Sequence, residues 1–315
     1  MILVTGSNGF LATHLIERLS GTRLSLLDRS KPRSEPSNRF TQAEINNSSD
    51  YTLALSECNV VVHCAARVHI MDDDVREPLA EYREANTAGT INLAKQAVQA
   101  GVKRFIFISS IKVNGEASSL STPFKYTDPH ASEDFYGQSK SEAELALLEL
   151  SKQTGLEVVI IRPTLVYGPG VKANFASLMN LVAKGIPLPF ACINTNKRSL
   201  VSVTNLVDLI VTCIDHPKAA NEVFLVSDDQ DVSTSEMVKN MAKALGKPTW
   251  QLPVPVWSYN LLGKLLGKKD VVDRLTGSLQ VDIAHTKETL DWTPPQSLEE
   301  GFKQTAQAFL RSKQK

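Results

Sequence analysis

The residues VTGSNGFLA, Val4 to Ala12, follow an apolar, β-branched run beginning at Ile2 and open a helical pattern that continues through Ser20. A strand that turns into a helix through two glycines leaves a chain few alternatives. Gly6 permits the tight turn, Gly9 lets backbone approach a pyrophosphate, and Ala12 is small enough for the helix to pack close on the strand. The free N–H groups and positive dipole end of that helix converge on the same spot. Such a pattern gains its force from standing at the first strand–helix junction of a βαβ series. That series is visible downstream. TRLSLLD (22–28), RFTQAEI (39–45), NVVVHCA (59–65), RFIFISS (104–110) and EVVIIRP (157–163) read as strands. Helical patterns cover Pro78 to Ala100 and the stretch from FYGQSK to Thr154. Nearly continuous apolar strands alternating with helices predict a doubly wound α/β fold, a parallel sheet covered on both faces.

Beyond Pro163 the alternation loosens. VYGPG (166–170) reads as a turn and KGIPLPF (184–190) is broken by proline. RSLVSV (198–203), a helix over 205–215 and EVFLVS (222–227) read as a return to the sheet, and 228–315 is helical with Pro and Trp punctuation. The expected division is a dinucleotide-binding domain of residues 1–165 plus about 199–227, and a smaller substrate-binding lobe of about 166–198 plus 228–315.

Composition narrows the partners. Lys plus Arg and Asp plus Glu number 34 each among 315 residues, so no electrostatic argument favours nucleic acid. Cys58, Cys64, Cys192 and Cys213 are scattered without paired spacing. That argues against a disulfide framework or a metal site and fits a reducing, cytoplasmic setting. A strand begins at once, so no signal peptide is visible, and no apolar run reaches the ~18 residues of a transmembrane span.

Two further features carry chemistry. The second strand ends in Asp28, about 20 residues past the glycine loop, where a carboxylate accepts hydrogen bonds from an adenosine ribose. This favours NAD(H). Arg29, Lys31 and Arg33 follow at once and would instead receive a 2′-phosphate, so NADP(H) stays open. In DFYGQSK, Tyr136 and Lys140 stand four residues apart at the start of a helix and share a face. A free tyrosine, with a pKa of about 10, is a poor acid or base at neutral pH. An ammonium one turn away, with a nicotinium charge nearby, would favour phenolate.

TGSNGFLA, HCAA (63–66), NTAGT (86–90), FISS (107–110), YGQSK (136–140) and RPTLVYGPG (162–170) coincide in one chain. In order and spacing they resemble the extended short-chain dehydrogenase/reductase family, the nucleotide-sugar epimerases, dehydratases and ketoreductases. The resemblance spans essentially the whole chain, including RSLVSVTNLVDLI and LDWTPPQSLEEG. It implies a Rossmann sheet and a catalytic Tyr136–Lys140 dyad completed by Ser110, with Ser109 facing the cofactor. It implies that Gly6, Asn8, Gly9, Phe10 and Leu11 hold the pyrophosphate, Asp28 with Arg29 the adenosine ribose, and Glu44 with Ile45 the adenine. The family more often has Asp where Glu44 stands. Ala65, Ala66, Arg67, Asn86 and Pro163 would border the nicotinamide half. For the substrate, Arg198 matches the family's diphosphate-binding arginine, joined by Asn174 and Arg274, with Arg67, Lys112 and Asn114 near the sugar. A homodimer through helices 78–100 and 136–154 is a family-level expectation.

Which reaction follows depends on the surroundings of the dyad. Ile111 and Lys112 follow Ser110 where dehydratases of this family carry an Asp–Glu pair, so elimination of water lacks proton carriers. Leu165 occupies the place where many UDP-sugar epimerases have Asn. AARVHIM (65–71) and SSIKVNGE (109–116) resemble bacterial 4-ketoreductases of surface-polysaccharide synthesis. The expectation is therefore NAD(P)H-dependent reduction of a UDP-4-keto-6-deoxy-HexNAc. The alternative is a UDP-sugar 4-epimerase with tightly bound NAD, and a more distant one is a non-catalytic dinucleotide-binding regulator. Lastly, VPVWSYNLLGKLLGKKD (254–270) sets Trp257, Leu261, Leu262, Leu265 and Leu266 beside Lys264, Lys268 and Lys269. An interfacial amphipathic helix close to a membrane is one reading. Gly263 and Gly267 weaken such a helix, and packing over the substrate pocket is the favoured expectation.

Overall fold

The computed structural model describes residues 1–31, 38–68, 77–120 and 122–314, apart from the side chains of Ala173 and Asn174. The chain begins β1 (Ile2–Thr5), α1 (Phe10–Arg18), β2 (Leu24–Asp28), β3 (Arg39–Gln42), α2 (Thr52–Leu55) and β4 (Val60–His63). It continues through α3 (Pro78–Tyr82), a π-helical stretch (Arg83–Ala88), α4 (Gly89–Gln99), β5 (Arg104–Ile108), α5 (Phe135–Thr154) and β6 (Glu157–Pro163). Then come β7 (Leu165–Tyr167), α6 (Ala173–Ala183), β8 (Arg198–Ser202), α7 (Val203–Asp215), β9 (Val223–Val226) and β10 (Asp231–Val232). Five helices close the chain: α8 (Thr234–Ala244), α9 (Val256–Leu265), α10 (Lys269–Thr276), α11 (Ala284–Leu290) and α12 (Leu298–Lys313).

Seven strands form one parallel sheet in the order β3-β2-β1-β4-β5-β6-β9. Its two faces are read directly from strand periodicity. Phe105 and Phe107 of β5 enter one core with Leu3, Leu93 and Leu147, while Ile106 and Ile108 enter the other with Val4, Leu15 and Leu206. Both faces are apolar because helices cover both.

The expectation that RSLVSV returns to this sheet is corrected. β8 pairs instead with β7 and β10 in a separate three-stranded sheet, and only β9 rejoins the main one, against β6. The reason lies at Pro163, which ends β6 opposite Val226 and has no N–H to continue a ladder. The chain peels away two residues later as β7, so the first part of VYGPG is strand rather than turn. Asp228 stitches the seam, accepting from Ser202 N (2.8 Å), Tyr167 Oη (2.7 Å) and Asn205 Nδ2 (2.7 Å). Helix α7 still packs into the main core through Leu206 and Ile210. A third core, with Tyr167, Phe175, Met241 and Phe302, sits under the small sheet.

The helix read over Pro78 to Ala100 is interrupted by its π-helical stretch, and Gly89 stands where α-helix resumes. A Cβ at Gly89 would lie 2.7 Å from Ile45 Cγ2 and 2.8 Å from Asn46 N. Gly89→Ala is expected to destabilise the chain by about 1–3 kcal/mol through overpacking, measured as a lowered urea midpoint; an unchanged midpoint would show that the segment after β3 yields freely.

Candidate active site

In the main sheet the connections diverge on either side of β1 and β4, and a cavity of about 680 Å³ opens at their carboxyl ends. Its walls include Gly6, Asn8 and Gly9, then Asp28 and Arg29 after β2, Glu44 and Ile45 after β3, and Ala65, Ala66 and Arg67 after β4. Most of the expected cofactor residues thus converge on one space. Gly6 has φ +66°, and a Cβ there would stand 2.9 Å from Ala65 Cα, so glycine lets the two loops meet. Asp28 Oδ2 accepts from Asn8 N (3.0 Å), and Asn8 Nδ2 donates to Ser30 O (2.8 Å), which ties the glycine loop to the end of β2. Arg29 and Lys31 are exposed, and Arg33 lies outside the described residues.

Phe10 and Leu11 start α1, their side chains packed on the core. Gly9, as N-cap, supplies no side-chain acceptor, and no acid occupies the first turn. The first-turn N–H groups therefore stay available to an anion. Ser7 Oγ, buried in the same loop, has no hydrogen-bond partner among the described residues. Open N–H groups at one end of the cavity and Asp28 beside it fit a dinucleotide.

The proton-transfer candidates lie past the Arg67 end of this cavity. Asp134 caps α5, its Oδ1 accepting from Gly137 N (2.7 Å). Tyr136, half-buried, meets the Tyr82 ring edge-on at 6.4 Å, and the Arg67 guanidinium lies over the same Tyr82 ring, 5.9 Å from its centroid. Burial, then the Asp134 charge, push the Tyr136 phenol well above its ordinary value. The expected lowering by Lys140 is therefore not a property of the chain alone. Lys140 Nζ donates instead to Ile108 O (2.9 Å) and lies 4.4 Å from the Phe107 centroid. Its own pKa is pulled down to about 7 by burial. Neighbouring His63, wholly buried between Thr5 and Thr90, is held neutral, its pKa pulled down to about 3 by burial and then by the Lys140 charge.

Ser110 caps a short 3₁₀ turn (Ile111–Val113), its Oγ accepting from Lys112 N (3.2 Å). Ser109 does not face the cofactor cavity as expected. Consecutive residues of an extended segment point to opposite sides, and the Ser109 hydroxyl donates to the buried Glu144 carboxylate. Asn114, expected beside the sugar, is also buried, accepting from Arg162 Nη1 (3.0 Å). Asn86, expected at the nicotinamide border, is wholly buried as well. Its carboxamide clamps Arg67 N (2.8 Å), Arg67 O (3.0 Å) and Ser139 Oγ (3.0 Å), and so joins the Arg67 loop to α5. Lys112 Nζ is taken up by Glu116 (2.9 Å) and Asp134. Pro163 is buried at the end of β6.

In the small lobe, Arg198 Nη1 donates to Arg274 O (2.8 Å) and Gly277 O (3.3 Å) at the end of α10. Burial, then the Arg274 charge, lower the Arg198 pKa. The side chain of Asn174 lies outside the described residues. Among the described residues no group of three or more His, Cys, Asp and Glu is placed to hold a metal, and no helix is long and apolar enough to cross a membrane.

Sequence reasoning missed the group behind the dyad. Glu144 receives Arg162 Nε (3.0 Å) and Nη2 (2.5 Å), and Arg162 Nη2 also donates to His130 Nε2 (2.7 Å). That leaves His130 Nε2 an acceptor and the ring neutral, in line with a pKa lowered by burial. The signal was present. An arginine inside the apolar run EVVIIRP needs a buried partner, and Glu144 is eight residues from Tyr136 on the same helix.

Residues 2–227 match the NAD dependent epimerase/dehydratase family, and the chain belongs to it. A Vibrio cholerae protein, UDP-glucose 4-epimerase, is 66% identical over 314 residues, covering 99% of this chain and 96% of its own. N-acetyl-alpha-D-glucosaminyl-diphospho-ditrans,octacis-undecaprenol 4-epimerase of Escherichia coli O157:H7 is 28% identical, covering 99% and 96%. The structure of UDP-glucose 4-epimerase from Thermotoga maritima superposes with a TM-score of 0.79 at 22% identity, covering 99% of both chains, and is alike in fold. The 66% match overturns the expectation of 4-keto reduction, and with it the weight placed on Leu165.

Two outcomes test this electrostatic arrangement. Below its lowered pKa the folded chain carries a buried Lys140 ammonium; between there and the ordinary lysine value the unfolded chain binds more protons, so stability rises with pH. Lys140→Met should therefore raise the urea midpoint more near pH 6 than near pH 9, and equal gains would contradict it. Arg162→Met strands the Glu144 charge and should cost about 3–5 kcal/mol, with much of the loss recovered when Glu144→Leu is added.

Proposed function

We propose that the chain is a UDP-sugar 4-epimerase acting on UDP-glucose or a close relative with NAD held in the cleft. The 66% identity to the V. cholerae UDP-glucose 4-epimerase across 99% of the chain carries this reading. The loop residues Gly6, Asn8 and Gly9 with the first-turn N–H groups of Phe10 and Leu11 would hold the pyrophosphate, and Asp28 the adenosine ribose. Glu44 and Ile45 would flank the adenine. Arg198 and Arg274 would meet the substrate diphosphate, for which a guanidinium fork suits two oxygens at once.

The chemistry that NAD supplies when bound is uptake and return of the C4 hydride, with a positive charge that favours phenolate at Tyr136. Tyr136 takes the proton of the sugar 4-hydroxyl and later gives it back, so no proton is consumed overall. Ser110 Oγ donates to the 4-oxygen and holds it near the phenol. The ammonium form of Lys140, one turn along α5, adds positive charge behind Tyr136. With the proton returned to the 4-oxygen and the cofactor left as it began, the sugar would change only in its configuration at C4.

The test is incubation with UDP-glucose, and separately UDP-GlcNAc, followed by chromatographic separation of the C4 epimers. Interconversion without net change in reduced cofactor is expected. Tyr136→Phe should lower kcat by about 10²–10⁴-fold with NAD affinity retained. Full activity in that variant would sink the proton-transfer assignment, and stoichiometric consumption of added NADH would sink the epimerase reading.

A further inference from the structure

The outward face of α9 has no part in the proposed reaction. Trp257, Leu261 and Leu265 repeat along it at four-residue spacing and are 67%, 52% and 73% exposed. Leu262 and Leu266 beside them are 54% and 70% exposed. The inner face is already occupied: Gly263 is buried against Val272 of α10, and Val256 and Tyr259 pack on the small-lobe core. The expectation that these leucines pack over the substrate pocket is thus corrected, since their side chains face solvent. Scattered apolar residues on a surface are ordinary, but a contiguous stripe of this size marks a surface that is covered in use.

The charges around the stripe indicate what covers it. Lys264, Lys268 and Lys269 are exposed on and just after α9. Residues 256–270 hold those three basic side chains against one acidic one, Asp270. Protein–protein interface cores are depleted in lysine. A helix bearing tryptophan and leucine on one face with lysines at its margin is suited to the boundary of a bilayer, where aromatic rings settle at headgroup depth and ammonium groups meet phosphates. We propose that the α9–α10 face docks the chain reversibly on an anionic lipid surface. The proposal is independent of which sugar is epimerised. It places Trp257, Leu261 and Leu265 in the headgroup boundary and the three lysines against lipid phosphate.

Flotation of the full chain with phosphatidylcholine vesicles, with and without phosphatidylglycerol, tests it. Binding is expected only to the vesicles with phosphatidylglycerol, weakening as salt rises. In a Trp250→Phe background, which leaves Trp257 and the buried Trp292, the emission should shift to the blue on binding as Trp257 leaves water. The double variant Leu261→Glu, Leu265→Glu should lose at least about tenfold of the bound fraction. Its circular dichroism and NAD affinity should match the parent's, readouts that do not depend on the epimerase assignment. Equal flotation of variant and parent would overturn the proposal. So would a parent that ignores both vesicle types while its light-scattering mass falls in the double variant, since a second copy of the chain would then cover the face.

Discussion

The Glu144 carboxylate, without solvent exposure, holds together three segments that reach the proposed site from different parts of the chain. It belongs to α5, four residues beyond Lys140; it receives Arg162 from β6 and the Ser109 hydroxyl from the end of β5. Arg162 extends the same network to Asn114 and His130. A buried pair of this kind contributes little to stability beyond what well-packed apolar residues would. What it provides is geometry: each member has a fixed set of donors or acceptors, so β5, β6 and α5 meet in one arrangement. Ser110 and Tyr136 inherit their positions from that arrangement, because Ser110 follows Ser109 and Tyr136 precedes Glu144 by two turns.

The parts of this molecule legible in the sequence are those set by local pattern. The apolar runs of β1, β2, β4, β5 and β6 were legible as strands of a parallel sheet, and the glycine loop announced the first βα turn. Tyr136 and Lys140 were readable because helical spacing is short-range. The seam at Pro163 was not, since whether β8 pairs with β7 or returns to the main sheet is decided by contacts such as Asp228 to Tyr167, 61 residues apart. The inward turn of Ser109, Asn86 and Asn114 was hidden for a similar reason. A polar side chain near a cleft looks the same in sequence whether it touches a ligand or supports a neighbour that does.

The distinction between reduction and epimerisation was harder still. The proposed proton-transfer dyad would serve both, so Tyr136 and Lys140 carry no information about which occurs. Ile111 and Lys112 bear only on dehydration, which leaves the other two reactions equal. Leu165, used to separate them, is a single position at the start of the short strand β7, 43% exposed. The 66% identity over nearly the full chain weighs against reduction, which these local differences had favoured.

The π-helical stretch at Arg83–Ala88 has a consequence for how this region tolerates change. Each turn of π-helix holds more residues than an α-turn, so the segment behaves as an α-helix with a residue inserted. Everything before it is rotated in phase relative to everything after it. That phase offset lets Tyr82 face Tyr136 while Asn86 and Thr87 still engage Ser139. A one-residue deletion there would leave a better helix by every local measure and a misaligned one. The irregular turn is a phase adjuster between two helices, and its length, more than any single side chain in it, is what the site needs preserved.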